Sequence, residues 1–173
     1  MSVAGGVPKN PIEMVAGALC LCANEIVTDI HPPIVASVGL PFVMVELRDR
    51  SILQKAGINS VGFQRIAEAG VMPDIHLYVR SNDEFDIRAR MFAPHDGVPE
   101  DPATGSANCA LAGLLSHFHE SASGKFEWRI AQGVEMGRPS LLLARAEKKA
   151  GEVLSTWIGG GCVMVSQGHI YTD

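Results

Sequence analysis

One stretch of the chain is apolar or small on every side when it is arranged as a helix. Its larger apolar side chains recur with helical spacing, at Ala107, Ala110, Leu111, Leu114, Leu115 and Phe118. The opposite side carries mostly small residues, at Asn108, Cys109, Ala112 and Gly113. A helix with so little polar surface is buried rather than laid on a surface. Because the small side would let strands approach closely, the pattern predicts a sheet curled around this central helix.

Two stretches, 74–80 and 87–92, alternate between apolar and polar residues, as half-buried strands do, and six others are strand-like in composition. Strands are predicted at 34–38, 41–47, 74–80, 87–92, 126–131, 140–146, 153–158 and 162–165. Helical spacing covers 60–69 and also 11–22, where Asn10 can cap, Pro11 suits the first position and Glu13 completes a capping box. Since strands mostly follow strands, we expect an α+β fold with a mostly antiparallel, barrel-like sheet. No composition break divides residues 1–173, so a single domain is expected.

Composition narrows the classes of function. Apolar residues make up 47% of the chain and charged residues 19%, which excludes a disordered protein. The net charge of -5 disfavours both nucleic acid and acidic membrane surfaces as partners. The longest apolar run, 14–23, is too short for a membrane span, which needs about 20 residues. Without a clear export signal, we expect a cytoplasmic protein whose cysteines are free and buried.

The residues just before the central helix carry the most specific chemistry. A helix N-terminus offers unpaired N–H groups and the positive end of the helix dipole. Gly105 lets a ligand approach the backbone, and Ser106 adds a hydroxyl, so a carboxylate or phosphate could bind there. Asp101 lies close enough in sequence to share this pocket and to transfer a proton. The alternative is that Asp101, Thr104 and Ser106 only cap the helix.

This motif resembles the signature of the phenazine-biosynthesis PhzF-like family. The resemblance rests first on RMFAP at 90–94, Gly97 and EDPATGSA at 100–107. Supporting segments are SVGLPF at 37–42, QGVEMGRPS at 132–140, and GGGCVMV at 159–165 followed by Gly168. The segments stand in the family's order and span nearly the whole chain.

The resemblance implies a diaminopimelate-epimerase-like fold, in which each of two similar domains wraps a barrel-like sheet around a central helix. It also implies an isomerase that moves a proton between carbons of a small carboxylate, a reaction that needs no metal or nucleotide cofactor. Asp101 would assist proton transfer or hold a polar group of the substrate. The turn formed by Thr104, Gly105, Ser106 and Ala107 would bind the substrate carboxylate.

Two family features are missing from this sequence. The family's first domain supplies a proton-shuttling glutamate in a segment resembling SETAF, and a GHAT segment, and neither occurs here. The chain therefore resembles the second half of a two-domain enzyme. The N-terminal half would come from the same gene or a separate chain, and this chain alone would be inactive. A homodimer and an exposed apolar flank are also expected. The alternative is a stand-alone domain that binds a small carboxylate without catalysis.

Other candidate sites have a more ordinary interpretation. The thiol of diaminopimelate epimerase is replaced by Ala103, so two-thiol chemistry is not expected. Ser106 lacks the sequence context of a nucleophile. Arg90 could pair with an anionic substrate, although a solvated strand face is favoured. His117-x-His119 could bind a metal, but a solvated helix end is favoured. Cys20-x-Cys22 could bind zinc, but core packing is favoured. Gly159–Gly161 could form a phosphate-binding loop, but a turn or bulge is favoured.

Overall fold

A strongly curled sheet surrounds one helix in the computed structural model, which describes residues 2–4 and 11–172. Within those residues the strands are β1 (Ser2–Ala4), β2 (Ile34–Ser37), β3 (Pro41–Glu46), β4 (Ile75–Arg80), β5 (Ile87–Ala93), β6 (Val98–Asp101), β7 (Gly124–Gln132), β8 (Ser140–Lys149) and β9 (Glu152–Gly160). The α-helices are α1 (Pro11–Ala18), α2 (Arg50–Lys55), α3 (Ser60–Glu68) and α4 (Gly105–His117). Short 3-10 turns lie at Ala23–Glu25 and Pro94–Asp96.

The sheet runs in the order β1-β2-β3-β4-β5-β7-β8-β9, and β6 pairs with β5 beside this path. Neighbouring strands are antiparallel except for β3 with β4 and β5 with β7. A parallel pair needs a long crossover connection. The first crossover contains α2 and α3, and the second contains β6 and α4. The predicted α+β fold with a mostly antiparallel sheet is therefore confirmed.

Helix α4 lies on the concave face of the sheet, as its sequence predicts. Its residues from Ala107 to Ser116 are buried, apart from the half-buried Cys109. Alternate residues of β8 face it, and they include the small side chains of Ala144 and Ala146. Because the sides of the helix carry little polar surface, burying them removes apolar area from water and desolvates few polar groups.

A second core covers the opposite face of the sheet. Helices α1, α2 and α3 pack there against β3, β4 and β5, and the predicted face of Ile75, Leu77 and Val79 lies in this core. Helices α1 and α3 approach so closely that a Cβ atom on Gly62 would lie 2.5 Å from the Cα of Ala18. The glycine is therefore required by the packing of the two helices.

Several predictions are wrong in detail. Helix α1 ends at Ala18 rather than residue 22, because Cys20 adopts a left-handed conformation with φ 58°. The expected cap at Asn10 lies outside the described residues. Residues 162–165 form no strand, since they pair with no neighbour in the described part of the chain. The run from Gly159 to Gly161 thus ends a strand instead of joining two.

Two further features correct or extend the expectations from composition. The cysteines are free, but they are not buried, because Cys20, Cys22 and Cys162 are exposed. Within residues 2–4 and 11–172, no helix has the length and apolar character needed to cross a membrane.

The close approach of α1 and α3 predicts opposite effects for two glycine substitutions. Gly62→Ala should lower the free energy of unfolding by about 1–3 kcal/mol, because the new methyl group overlaps the α1 backbone. Gly17→Ala is the matched control, since Gly17 is exposed within α1 and an added Cβ would meet no atom within 4 Å. It should raise the free energy of unfolding by about 0.5–1 kcal/mol through helix propensity. Urea unfolding measures both, and equal effects would contradict the packing argument.

Candidate active site at the start of the buried helix

Asp101 and Thr104 meet just before helix α4, which the curled sheet surrounds. Asp101 is the last residue of β6 and lies opposite Met91 of β5. The Thr104 hydroxyl donates a hydrogen bond of 2.5 Å to Oδ2 of Asp101. Both side chains are half-buried. The sequence predicted both as site residues, and the structure brings them into direct contact.

The N-terminus of α4 is not capped by a side chain. Thr104 occupies the N-cap position, but its hydroxyl binds Asp101 and makes no capping hydrogen bond. Among the described residues, no side chain accepts a hydrogen bond from the N–H of Gly105, Ser106 or Ala107. Thr104 therefore does not cap the helix with its side chain. The free N–H groups and the helix dipole make this end suited to an anion.

Gln132, the last residue of β7, ties this loop to the sheet. Its Nε2 donates to the carbonyl of Asp101 at 2.7 Å and to the Thr104 hydroxyl oxygen at 3.0 Å. Its Oε1 accepts from the Thr104 N–H at 3.3 Å. Gly133 follows with φ +75°, and a Cβ there would lie 2.8 Å from the Pro102 carbonyl oxygen. The segment that resembles the family's Gln-Gly sequence thus packs directly on the motif.

Arg90 is a structural residue and not a solvated one, which corrects the sequence interpretation. It is buried, and its Nε and one terminal nitrogen bind the two carboxylate oxygens of Glu100 at 2.8 and 2.9 Å. Its other nitrogen donates to the carbonyls of Leu53 and Ala56 at 2.9 and 2.7 Å. Arg90 therefore joins the end of α2 to β6 through Glu100, the residue that precedes Asp101. Nothing in this arrangement leaves Arg90 free for a substrate.

An open groove of about 550 Å³ runs beside the start of α4. Its walls come from the motif, from the start of β8 and from the end of β9, and include Ala103, Gly105, Leu142, Ile158 and Gly160. The groove reaches Gly105, whose missing side chain leaves the backbone accessible. Its size is sufficient for a small organic acid.

The sequence motifs match one known family along most of the chain. The model of the phenazine biosynthesis-like proteins, PhzC-PhzF, matches residues 8–168. This chain belongs to that family. The PhzF-like resemblance seen in the sequence is thereby confirmed.

This chain matches only part of the length of each relative. An uncharacterised isomerase of Mesorhizobium japonicum is 30% identical over 92% of this chain and 54% of its own. The trans-2,3-dihydro-3-hydroxyanthranilate isomerase of Pseudomonas chlororaphis is 45% identical over 48% of this chain and 30% of its own. A PhzF-family crystal structure from Bacillus anthracis has a TM-score of 0.76 at 22% identity, over 86% of this chain and 51% of that one. The chain spans about half the length of such relatives.

The histidine and cysteine pairs of this PhzF-family chain lie outside the site. Lys148, which is buried, donates to the carbonyls of His117 and His119 at 3.1 and 2.9 Å. It thus supplies the positive charge that a helix C-terminus favours. In residues 11–172 no group of three potential ligands could hold a metal ion. Cys20 and Cys22 are exposed, so the core packing that their sequence favoured is wrong.

Asp74 is a perturbed carboxyl that the sequence analysis did not single out. It precedes β4 and is 8% exposed, and its Oδ1 has no hydrogen-bond partner among the described residues. The pKa of Asp74 is raised to about 6, mainly by burial and also by the nearby Asp96 carboxylate, while His95 opposes the rise. No local sequence signal marks Asp74, because its burial results from tertiary packing.

This environment predicts a pH-dependent effect of Asp74→Asn on stability. The folded-state pKa of about 6 lies above the ordinary value of 3.8, so folding favours the protonated form. The contribution of Asp74 to stability is present below about pH 4 and is lost as the pH rises through 6. The advantage of the variant over the wild type should therefore grow by about 1 kcal/mol between pH 5 and pH 8.

Urea unfolding at the two pH values measures this difference. Asp96→Asn, which removes only a neighbouring charge, should give a smaller change of the same sign. An advantage of Asp74→Asn that does not vary with pH would show that Asp74 is not protonated preferentially in the folded state.

Proposed function

We propose that this chain forms part of the active site of an isomerase that moves a proton within a small carboxylate-bearing substrate. One observation carries the proposal. A carboxylate, Asp101, is held at 2.5 Å from the Thr104 hydroxyl, directly beside the uncapped N-terminus of a buried helix. The proton-transfer group and the anion-binding group are thus adjacent and fixed, which general acid–base catalysis requires.

The two parts of the site have different roles in this proposal. The N–H groups of Gly105, Ser106 and Ala107 bind the substrate carboxylate, with the Ser106 hydroxyl as a further donor. Asp101 accepts or donates the proton at a neighbouring carbon. A charged ligand at the helix terminus satisfies donors that the protein itself leaves unpaired.

The names of the relatives support the isomerase class. Several relatives are trans-2,3-dihydro-3-hydroxyanthranilate isomerases, from Pseudomonas chlororaphis, Pseudomonas fluorescens and Pseudomonas aeruginosa. Since the match covers 54% of the Mesorhizobium japonicum relative and 30% of the Pseudomonas chlororaphis isomerase, we propose that a second domain completes the site with a further proton-transfer group. That domain would face the open groove beside Gly105. The homodimer and the cytoplasmic location expected from the sequence stay predictions.

Asp101→Asn tests the proton-transfer role in the full-length protein as its host encodes it. With trans-2,3-dihydro-3-hydroxyanthranilate as the probe, turnover should fall by about 10²–10⁴-fold, because Asn cannot exchange the proton. Folding should persist, since the Asn oxygen can still accept from Thr104. Asp96→Asn, an exposed carboxylate in the same segment, is the control and should keep wild-type turnover. Wild-type turnover in Asp101→Asn would remove this residue from the mechanism.

Ser106→Ala tests the anion site separately from turnover. Binding of 3-hydroxyanthranilate, an aromatic analogue of the probe, should weaken by about 1–2 kcal/mol, the value of one charge-assisted hydrogen bond. Isothermal calorimetry measures the affinity, and Ser121→Ala, in an exposed loop, is the control. Unchanged affinity would show that Ser106 does not bind the ligand. Binding that depends on Ser106, in a protein that never turns the probe over, would favour a carboxylate-binding domain without catalysis.

A further inference from the structure

A chain of buried polar side chains leads from the proposed site into the barrel. His76, Asn108 and Gln132 are all 0% exposed, although they come from β4, α4 and β7. His76 lies between Met44 and Met91 of the neighbouring strands. Three polar residues in such surroundings are costly unless each hydrogen bond is made.

The amide of Gln132 can take only one orientation. Its oxygen faces the Thr104 N–H, which can only donate, and its nitrogen faces the Asp101 carbonyl, which can only accept. The Gln132 nitrogen also donates to the Thr104 hydroxyl oxygen. The hydroxyl proton of Thr104 is then free to go to Oδ2 of Asp101.

The amide of Asn108 is fixed in the same way. Its nitrogen donates to the Thr104 carbonyl at 2.8 Å and to Oε1 of Gln132 at 2.7 Å. Its oxygen lies 3.2 Å from Nε2 of His76. That oxygen can only accept, so Nε2 of His76 must carry a proton.

His76 is therefore the neutral Nε2–H tautomer at the far end of the chain. Its Nδ1 is buried and has no partner among the described residues, which agrees with an unprotonated nitrogen. Burial lowers the pKa of His76 to about 4, although the hydrogen bond to Asn108 opposes this shift. Hydrogen-bond donation then runs one way, from His76 through Asn108, Gln132 and Thr104 to Asp101.

We infer that Gln132 is a positioning residue for the Asp101 carboxylate, acting through the Thr104 hydroxyl, and that His76 fixes the far end of this chain. The inference rests on the proposed function for its catalytic meaning. Thr104 donates to Oδ2, and the other oxygen of Asp101, Oδ1, has no hydrogen-bond donor among the described residues. Oδ1 is the atom that exchanges a proton with the substrate.

Nuclear magnetic resonance tests this arrangement without any turnover. In ¹⁵N-labelled wild-type protein at pH 7, His76 should show a protonated Nε2 and a bare Nδ1. The side-chain carboxyl ¹³C signal of Asp101 should move by a similar amount in Thr104→Val and in Gln132→Met, and return to its wild-type position in Thr104→Ser. A charged or Nδ1–H His76, or an Asp101 signal unmoved in Gln132→Met, would overturn the inference. If Gln132→Met does not fold, the Thr104→Val and Thr104→Ser pair and the His76 signal still decide.

Kinetics with trans-2,3-dihydro-3-hydroxyanthranilate then separate positioning from a merely structural role. Gln132→Met and Thr104→Val should each lower kcat by about 10–100-fold with little change in KM, and Thr104→Ser should restore kcat. The kcat of the double variant should be no lower than that of the less active single variant, because both substitutions act through one hydroxyl. Additive losses, or losses confined to KM, would contradict positioning. Loss of turnover in Asp101→Asn with normal turnover in Gln132→Met would reject the positioning role alone, whereas normal turnover in Asp101→Asn would reject the proposed function.

Discussion

A helix buried on all sides must still satisfy the backbone groups at its two ends, and this constraint shapes the molecule. At the C-terminal end of α4, buried Lys148 donates to the carbonyls of His117 and His119. At the N-terminal end the protein supplies no side-chain acceptor, among the described residues, for the N–H groups of the first turn. One end is thus closed by the protein's own charge, and the other has unpaired N–H groups at the site where we propose that an anionic ligand binds.

The sequence predicted those features that depend on local pattern. Helix α4 is apolar or small around its whole surface, and the sequences of β4 and β5 place apolar residues at alternate positions, so these elements could be recognised without tertiary information. The contact between Asp101 and Thr104 joins residues three apart and was likewise accessible. Helix α2 and strand β6 were missed because each is short, with six and four residues, and carries several charged or polar side chains.

The contacts around the site that sequence reasoning missed depend on distant partners. Arg90 was expected on a solvated face, but its acceptors at Leu53 and Ala56 come from a segment more than thirty residues earlier. Gln132 lies 28 residues from Thr104, and His76 lies 32 residues from Asn108. A polar residue in an apolar strand is the one signal that could have marked His76. Its partner could not be named, because only the curl of the sheet brings β4 and α4 together.

The ion pair between buried Arg90 and half-buried Glu100 helps to position the proposed site. Strand β6 has four residues and, in the described part of the chain, pairs only with β5, so the sheet holds it along one edge. A buried ion pair contributes little net stability compared with apolar packing, but it has a defined geometry. The bidentate contact fixes Glu100, Gln132 binds the carbonyl of Asp101, and Thr104 binds its carboxylate. An otherwise loosely held strand end is thereby restrained on three sides at the residue proposed to transfer the proton.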